Sequence, residues 1–190
     1  MEYHCKRQLK QMKKNNQGWE QILFYDIRRL EAIEEELKFH LPELLTKTRS
    51  LRLTMIIQKY IIFTDESIIK LGALIKEGGI GVLLQPNSMA SVLCRDTKEK
   101  LNYCTLETEI DHCLVSSLIS IATLKANYYQ QVARLSDKLG HSSMKTLLQN
   151  IMENEQRVMN WLQEMQEKEQ IEQEDVPLSG VVPRQAYWLL

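Results

Sequence analysis

Three charged residues stand in predicted helices at positions that otherwise carry Leu, Ile, Val or Met. These residues are Glu34, Lys125 and Glu155, and each lies near the middle of its helix. A buried charge costs on the order of several kcal/mol unless it is paired or bound to a metal ion. Two carboxylates from different helices are half of a di-iron ligand set, which two Glu-x-x-His motifs complete. The one such motif in the predicted helices, Glu109 to His112, lies at the start of its helix and not near these midpoints. A lysine between the carboxylates would supply the positive charge instead.

Four long helices are predicted because apolar residues recur at spacings of three and four. We expect them at about residues 18–41, 51–76, 107–139 and 142–169. Pro42 predicts a kink or a restart after the first helix, and Gly78-Gly79 ends the second. The next connection is long enough to reach the other end of the bundle, and a short helix is predicted in it at 88–102. The sequence therefore predicts an all-α fold, an antiparallel four-helix bundle with a long crossover.

The mid-helix positions of the three charges leave two arrangements open. A helix of about 24 residues is roughly 35 Å long, so the midpoints of antiparallel helices lie at similar heights. Glu34, Lys125 and Glu155 could therefore meet in the centre of the bundle. Alternatively, a small rotation of the helices would put Glu34 at a boundary beside Arg29 or Lys38. Lys125 would then extend its ammonium group to water.

Length and composition fit one domain with two flanking segments. We expect residues 1–17 to be a basic N-terminal lead-in, 18–169 the four-helix bundle, and 170–190 an extended or disordered tail. The net charge of −1 does not favour a nucleic acid or an anionic membrane, and no apolar run is long enough to cross a bilayer. Without a signal-peptide pattern, the sequence favours a cytoplasmic protein.

Cysteine and histidine do not form a recognisable site. No Cys-x-x-Cys pair occurs among the four cysteines. Cys104 and Cys113 could pair in principle, but reduced thiols in the cytosol are the favoured interpretation. The histidines fall near predicted helix ends, and no phosphate-binding or nucleophile motif has the required context. We therefore predict no catalytic residue and no cofactor.

Local similarities in the right order resemble one known family. Ile33-Glu34-Glu35-Glu36-Leu37 ahead of Leu41-Pro42 is similar to the family's Ala-Glu-x-x-Leu ahead of Leu-Pro. The other similar stretches are Ser88 to Leu93, Tyr129 to Gly140, and Leu147-Leu148-Gln149 followed by Glu155. Over roughly Trp19 to Gln166, the chain resembles the small bacterial stress-associated ferritin-like family of YciE/YciF type. The resemblance implies a ferritin-like bundle that usually pairs as a homodimer.

The same resemblance implies that the family's metal site has decayed here. Glu34 and Glu155 match acidic positions of the family. The family's Glu-His-Tyr-Glu stretch corresponds to residues 122–125, which are Ala-Thr-Leu-Lys here. The other family positions carry aromatic, apolar or basic side chains, namely Tyr60, Phe63, Ala122, Met159 and Lys125. Iron needs several hard oxygen or imidazole ligands. We therefore expect Glu34 and Glu155 to be vestigial ligands, Lys125 to replace the metal's charge, and no metal to bind.

Two functions remain open at this point. The favoured one is a non-catalytic ferritin-like bundle that acts through oligomerisation or protein binding, with a link to stress. The alternative is a metal-binding oxidoreductase, of di-iron or mononuclear type, that handles peroxide or oxidises ferrous iron. In that case Glu34, Glu155 and a neighbour such as Glu35 would hold an ion.

The C-terminal residues form a second candidate site, for interaction. They are Tyr187, Trp188, Leu189 and Leu190. Exposed aromatic and aliphatic side chains are unfavourable in water and enriched at interfaces. The tail could dock within a homo-oligomer, on its own bundle or on another protein, and the first of these is favoured.

Overall fold

Five α-helices and no strands make up the part of the chain that the structure describes. The computed structural model describes the backbone of residues 2–79 and 89–174 and the side chains of residues 17–79 and 89–167. The helices are α1 (Glu2–Leu45), α2 (Leu51–Glu77), α3 (Met89–Leu101), α4 (Glu107–Lys138) and α5 (Ser142–Glu174). The predicted all-α fold, with four long helices and a short helix in the crossover, is confirmed.

Two helices are longer than their apolar patterns indicate. α1 begins at Glu2, and α5 continues to Glu174. Both extensions are polar and rich in Lys, Gln and Glu, which favour helix without contributing to an apolar stripe. Periodicity therefore locates the part of a helix that packs, and it misses a polar extension of the same helix. The predicted tail beyond Glu174 lies outside the described residues.

α1 also passes through Pro42 and ends only at Leu45. The restart that the proline predicts does not occur. Leu41 and Leu44, which flank the proline, are fully or almost fully buried. Packing of this last turn outweighs the backbone hydrogen bond that a proline removes, which explains the continuation.

The four long helices are antiparallel to their neighbours. Short connections at 46–50 and 139–141 reverse the chain between α1 and α2 and between α4 and α5. The four helices contact one another in the cyclic order α1, α2, α5, α4, and α3 packs on α4 and α1. α2 and α4 thus run in the same direction on opposite corners, so the chain between them must travel the length of the bundle. This requirement accounts for the long crossover.

Asp111 on α4 fixes the turn between α1 and α2. Its carboxylate accepts hydrogen bonds from the Thr48 hydroxyl at 3.1 Å, the Arg49 amide at 2.9 Å and the Ser50 amide at 2.7 Å. Ser50 in turn caps α2, because its side chain accepts from the amide of Leu53. One carboxylate therefore sets where α2 starts relative to α4.

The interior consists of two apolar cores with a polar layer between them. The first core lies around Leu37, Leu118 and Leu162, and the second lies around Ile27, Val132 and Leu148. Glu34, Lys125 and Glu155 fall between the two cores along their helices, and all three are fully buried. The fold thus places three charges at mid-height of the bundle. None of the described helices is long and apolar enough to cross a membrane.

Candidate functional site

The three charges that interrupt the apolar stripes meet in one buried cluster. The Lys125 Nζ lies 2.8 Å from Glu34 Oε2 and 2.7 Å from Glu155 Oε1, and none of the three side chains is exposed. The boundary arrangement considered from the sequence is therefore wrong. Glu34 is not beside a surface cation, and Lys125 does not reach water. The central arrangement is the one observed.

Two tyrosines complete the cluster by hydrogen bonding to the outer carboxylate oxygens. Tyr129 donates its hydroxyl proton to Glu34 Oε1 at 2.5 Å, and Tyr60 donates to Glu155 Oε2 at 2.8 Å. The ring of Tyr60 also lies beside the ammonium group, with Lys125 Nζ 4.8 Å from its centroid. Such a cation–π contact compensates a desolvated ammonium group for part of its lost hydration.

The cluster joins all four long helices. Glu34 comes from α1, Tyr60 from α2, Lys125 and Tyr129 from α4, and Glu155 from α5. Lys125 and Tyr129 are one turn apart, which places both side chains on the inner face of α4. A continuous chain of ion pairs and hydrogen bonds therefore crosses the interior from α2 through α5 and α4 to α1.

Burial and charge together set the protonation of the cluster. Burial raises the pKa of Glu34 to about 7. The positive charge of Lys125 lowers this pKa, and the negative charge of Glu155 raises it further. Burial alone would lower the pKa of Lys125, but the adjacent Glu155 and Glu34 outweigh it, so this pKa is raised. Lys125 is therefore held in its charged form, and Glu34 binds a proton more readily than an exposed glutamate does.

The tyrosine hydroxyls stay protonated. Burial raises the pKa of Tyr60 and of Tyr129 well above the ordinary value, and the charges of Glu155 and Glu34 respectively add to the effect. Each tyrosine is thus a fixed hydrogen-bond donor to its carboxylate. Neither is poised to ionise.

The other positions at which the family resemblance implies a lost ligand are not part of the cluster. Ala122 is fully buried in the first core. Phe63 is partly buried and stacks on Trp161, with ring centroids 6.2 Å apart. Met159 is partly buried, and its sulfur accepts a hydrogen bond from Thr123. Of the five residues that replace expected ligands, only Tyr60 and Lys125 contact the two carboxylates.

The donor set of the cluster does not fit a metal ion. Glu34 and Glu155 are close enough to share one, since an oxygen of each lies within 2.8 Å of the same nitrogen. That nitrogen, however, belongs to the Lys125 ammonium group, which already occupies the position between the carboxylates. Both outer oxygens are occupied by tyrosine donors, and Glu35 is exposed. Within the described side chains, no group of three His, Cys, Asp or Glu residues could hold an ion.

Sequence reasoning missed the two tyrosine hydrogen bonds. It treated Tyr60 as a replaced ligand and assigned no polar role to Tyr128 or Tyr129. In the structure Tyr128 is partly buried and donates to Asp26, whereas Tyr129 enters the cluster. A useful signal was the spacing of four between Lys125 and Tyr129, which puts a hydroxyl beside the lysine on one helix face.

The fold and the cluster define a class: an all-helical bundle protein whose buried carboxylates are balanced by a lysine. The chain belongs to the family described as Domain of unknown function (DUF892), whose model matches residues 19–175. The resemblance to stress-associated proteins of YciF type is thereby confirmed. A search of the curated proteins finds no match to this chain.

Two solved structures share the fold. The Escherichia coli stress protein YciF has a TM-score of 0.67 and 17% identity, over 77% of this chain and 93% of that one. YcfI from Rhodopseudomonas palustris, for which a structural role has been suggested, has a TM-score of 0.68 and 16% identity, over 75% of this chain and 90% of that one. The TM-scores show a common fold, and at identities this low they show the fold alone.

Replacing Lys125 with Met should strongly destabilise the bundle. The change leaves two carboxylates buried without a cation, which costs about 3–5 kcal/mol of unfolding free energy. Lys38→Met is a matched control, since Lys38 pairs with Asp65 at 2.9 Å but at the surface, where solvent screening leaves an ion pair with little effect on stability. Urea denaturation measures both. Equal losses in the two variants would contradict a stabilising role for the buried ammonium group.

Glu34 should make stability depend on pH between about 4.5 and about 7. Its pKa is raised on folding, so the folded state binds the proton more tightly. The resulting stabilisation is complete below the unfolded pKa and is lost as pH rises through the folded one. Wild type should therefore lose up to about 3 kcal/mol relative to Glu34→Gln between pH 5 and pH 8. Urea titrations at several pH values test this. Glu35→Gln, at the exposed neighbour, should follow wild type, and parallel curves for wild type and Glu34→Gln would refute it.

Proposed function

We propose that this protein is a non-catalytic helical bundle that acts by oligomerisation or protein binding in a stress-related role. The observation that carries the proposal is the Lys125 ammonium group between Glu34 and Glu155, at 2.8 and 2.7 Å. A catalytic metal bundle needs an ion with an open coordination position in this place. Here the place is filled by a side chain of the chain itself, and we regard the cluster as a degenerate metal site with a structural task.

The electrostatics of the cluster also argue against general acid–base catalysis. A catalytic acid or base must reach a substrate. Glu34 has a pKa near 7, but it is fully buried and bonded to Lys125 and Tyr129. It has no face toward solvent from which a substrate could approach. Structural ion-pair networks also shift pKa values, so the raised pKa of Glu34 is not by itself evidence of catalysis.

The proposal extends to setting and assembly. YciF is named a stress protein, and this supports a stress-related role for a member of the same family. We place the protein in the cytoplasm, which the free thiols of Cys94, Cys104 and Cys113 support. We further propose that it forms a homodimer. The tail residues Tyr187 to Leu190, which lie outside the described residues, remain a candidate contact with a protein partner.

The rival function, a metal-binding oxidoreductase, keeps one argument in its favour. Glu34 and Glu155 are close together on facing helices, as the ligands of a bundle metal site would be. For an ion to bind, however, Lys125 would have to lose its proton or leave the interior. Its raised pKa opposes the first, and its complete burial opposes the second.

Metal analysis separates the two functions. We expect protein purified from cells supplied with iron and manganese to contain no stoichiometric metal by mass spectrometry of the elements. Adding ferrous or manganous ions should leave the melting temperature unchanged, because an ion that binds only the folded state would raise it. About two bound ions per chain, the content of a di-iron bundle, would overturn the proposal.

A further inference from the structure

The outward face of α2 carries large apolar side chains where a solvent-facing stripe should be polar. Leu51 is 76% exposed, Met55 59%, Ile62 49% and Ile69 72%. The opposite face of the same helix is buried against the interior, through residues such as Tyr60 and Leu71. The outward residues lie four or seven residues apart, so they share one face of α2, with Lys59 and Glu66 between them. Apolar stripes of this length mark interaction surfaces in water.

The stripe is symmetric about Ile62. Met55 and Ile69 lie seven residues before and after it, and Leu51 and Ala73 lie eleven residues before and after. All four are exposed. If a second α2 is laid antiparallel with Ile62 against Ile62, each apolar residue meets an apolar residue of the other copy. A surface that is complementary to itself in this way is what a two-fold dimer requires.

The charges on the stripe favour the same orientation. Lys59 lies three residues before Ile62 and Glu66 four residues after it, and both are exposed. In the antiparallel arrangement, Lys59 faces Glu66 of the partner subunit on each side of the axis. In a parallel pair the two-fold axis runs along the helices, so the flanking Lys59 and Glu66 of the two copies would lie on opposite edges of the interface and form no such pairs. Within the described part of the chain, Lys59 has no ion-pair partner, whereas Glu66 contacts Lys70 at 3.5 Å.

We propose that two copies of this chain pair through the outward faces of α2, antiparallel, with the two-fold axis at Ile62. The proposal rests on the homodimer of the proposed function and names its surface. From Leu51 to Ala73 the stripe is about 33 Å long, so the contact would run along most of α2. Among the described side chains of α1, the exposed Trp19, Ile22 and Tyr25 span only two turns and have no such symmetry.

The mass in solution tests the proposal first. Light scattering should give wild type twice the chain mass of 22.3 kDa. Ile62→Lys places two ammonium groups at the axis and should give the single-chain mass with unchanged helix content. Phe39→Lys is the matched control, because Phe39 is 74% exposed on α1 and lies outside the stripe. It should remain a dimer.

Disulfide cross-linking tests the register. Ile62→Cys should cross-link to itself under mild oxidation, and Met55→Cys alone should not. A mixture of Met55→Cys and Ile69→Cys chains should yield the mixed link between positions 55 and 69. Peptide mapping without reduction identifies each link despite the native cysteines. Links of 55 to 55 and 69 to 69 would show a parallel pairing and overturn the proposal.

The possible failures are distinguishable. A monomeric wild type would refute both the α2 interface and the homodimer of the proposed function. A dimer that survives Ile62→Lys would refute the α2 interface alone. A chain truncated after Glu174 should still dimerise. If truncation gives monomers while Ile62→Lys does not, the tail holds the dimer and the α2 proposal is wrong.

Discussion

The sharing of one ammonium group between two buried carboxylates is the interaction on which the interior of this bundle depends. Lys125, Glu34 and Glu155 have all lost their hydration, a penalty of several kcal/mol for each ion. Their mutual attraction and the two tyrosine hydrogen bonds must offset that penalty together, since none of the three side chains is exposed. The five groups therefore form a unit in which each makes the burial of the others tolerable.

This polar layer gives the bundle something that its two apolar cores do not supply, namely a defined register. Helices joined by Leu and Ile stripes can slide by a turn, about 5.4 Å, and still bury apolar surface. Such a slide would separate Lys125 from its carboxylates and Tyr60 from Glu155, which would leave charges without partners. A buried polar group that specifies register at some cost in stability is known from coiled coils. The cluster joins all four long helices of this bundle, so it can fix their register in the same way.

The helices and the charged cluster were predictable from the sequence to different degrees, because they leave different patterns in it. The helices, the crossover and the three interrupting charges can be found from periodicity, because Leu23, Ile27, Leu30 and Leu37 define the inner face around Glu34. Whether those charges meet depends on rotating each helix by a few tens of degrees, which a stripe of residues does not fix. The hydrogen bonds of Tyr60 and Tyr129 depend on the same rotation. The polar start of α1 has too few apolar residues to form a stripe, so periodicity did not join it to the first long helix.

The usual placement of polar and apolar residues is inverted in two regions of this chain, the centre of the bundle and the outward face of α2. Both inversions support the same view of its function. Charges lie in the interior, where they are closed to any substrate, and apolar residues lie on the outward face of α2, where they are open to another protein. An enzyme needs its charged groups accessible, whereas a binding protein needs an accessible apolar surface with a defined pattern. Tyr60 ties α2 to the cluster through Glu155, and a helix already packed in a bundle has less backbone freedom to lose on association than an unfolded segment has. The closed cluster thus favours binding at the surface over chemistry at the centre.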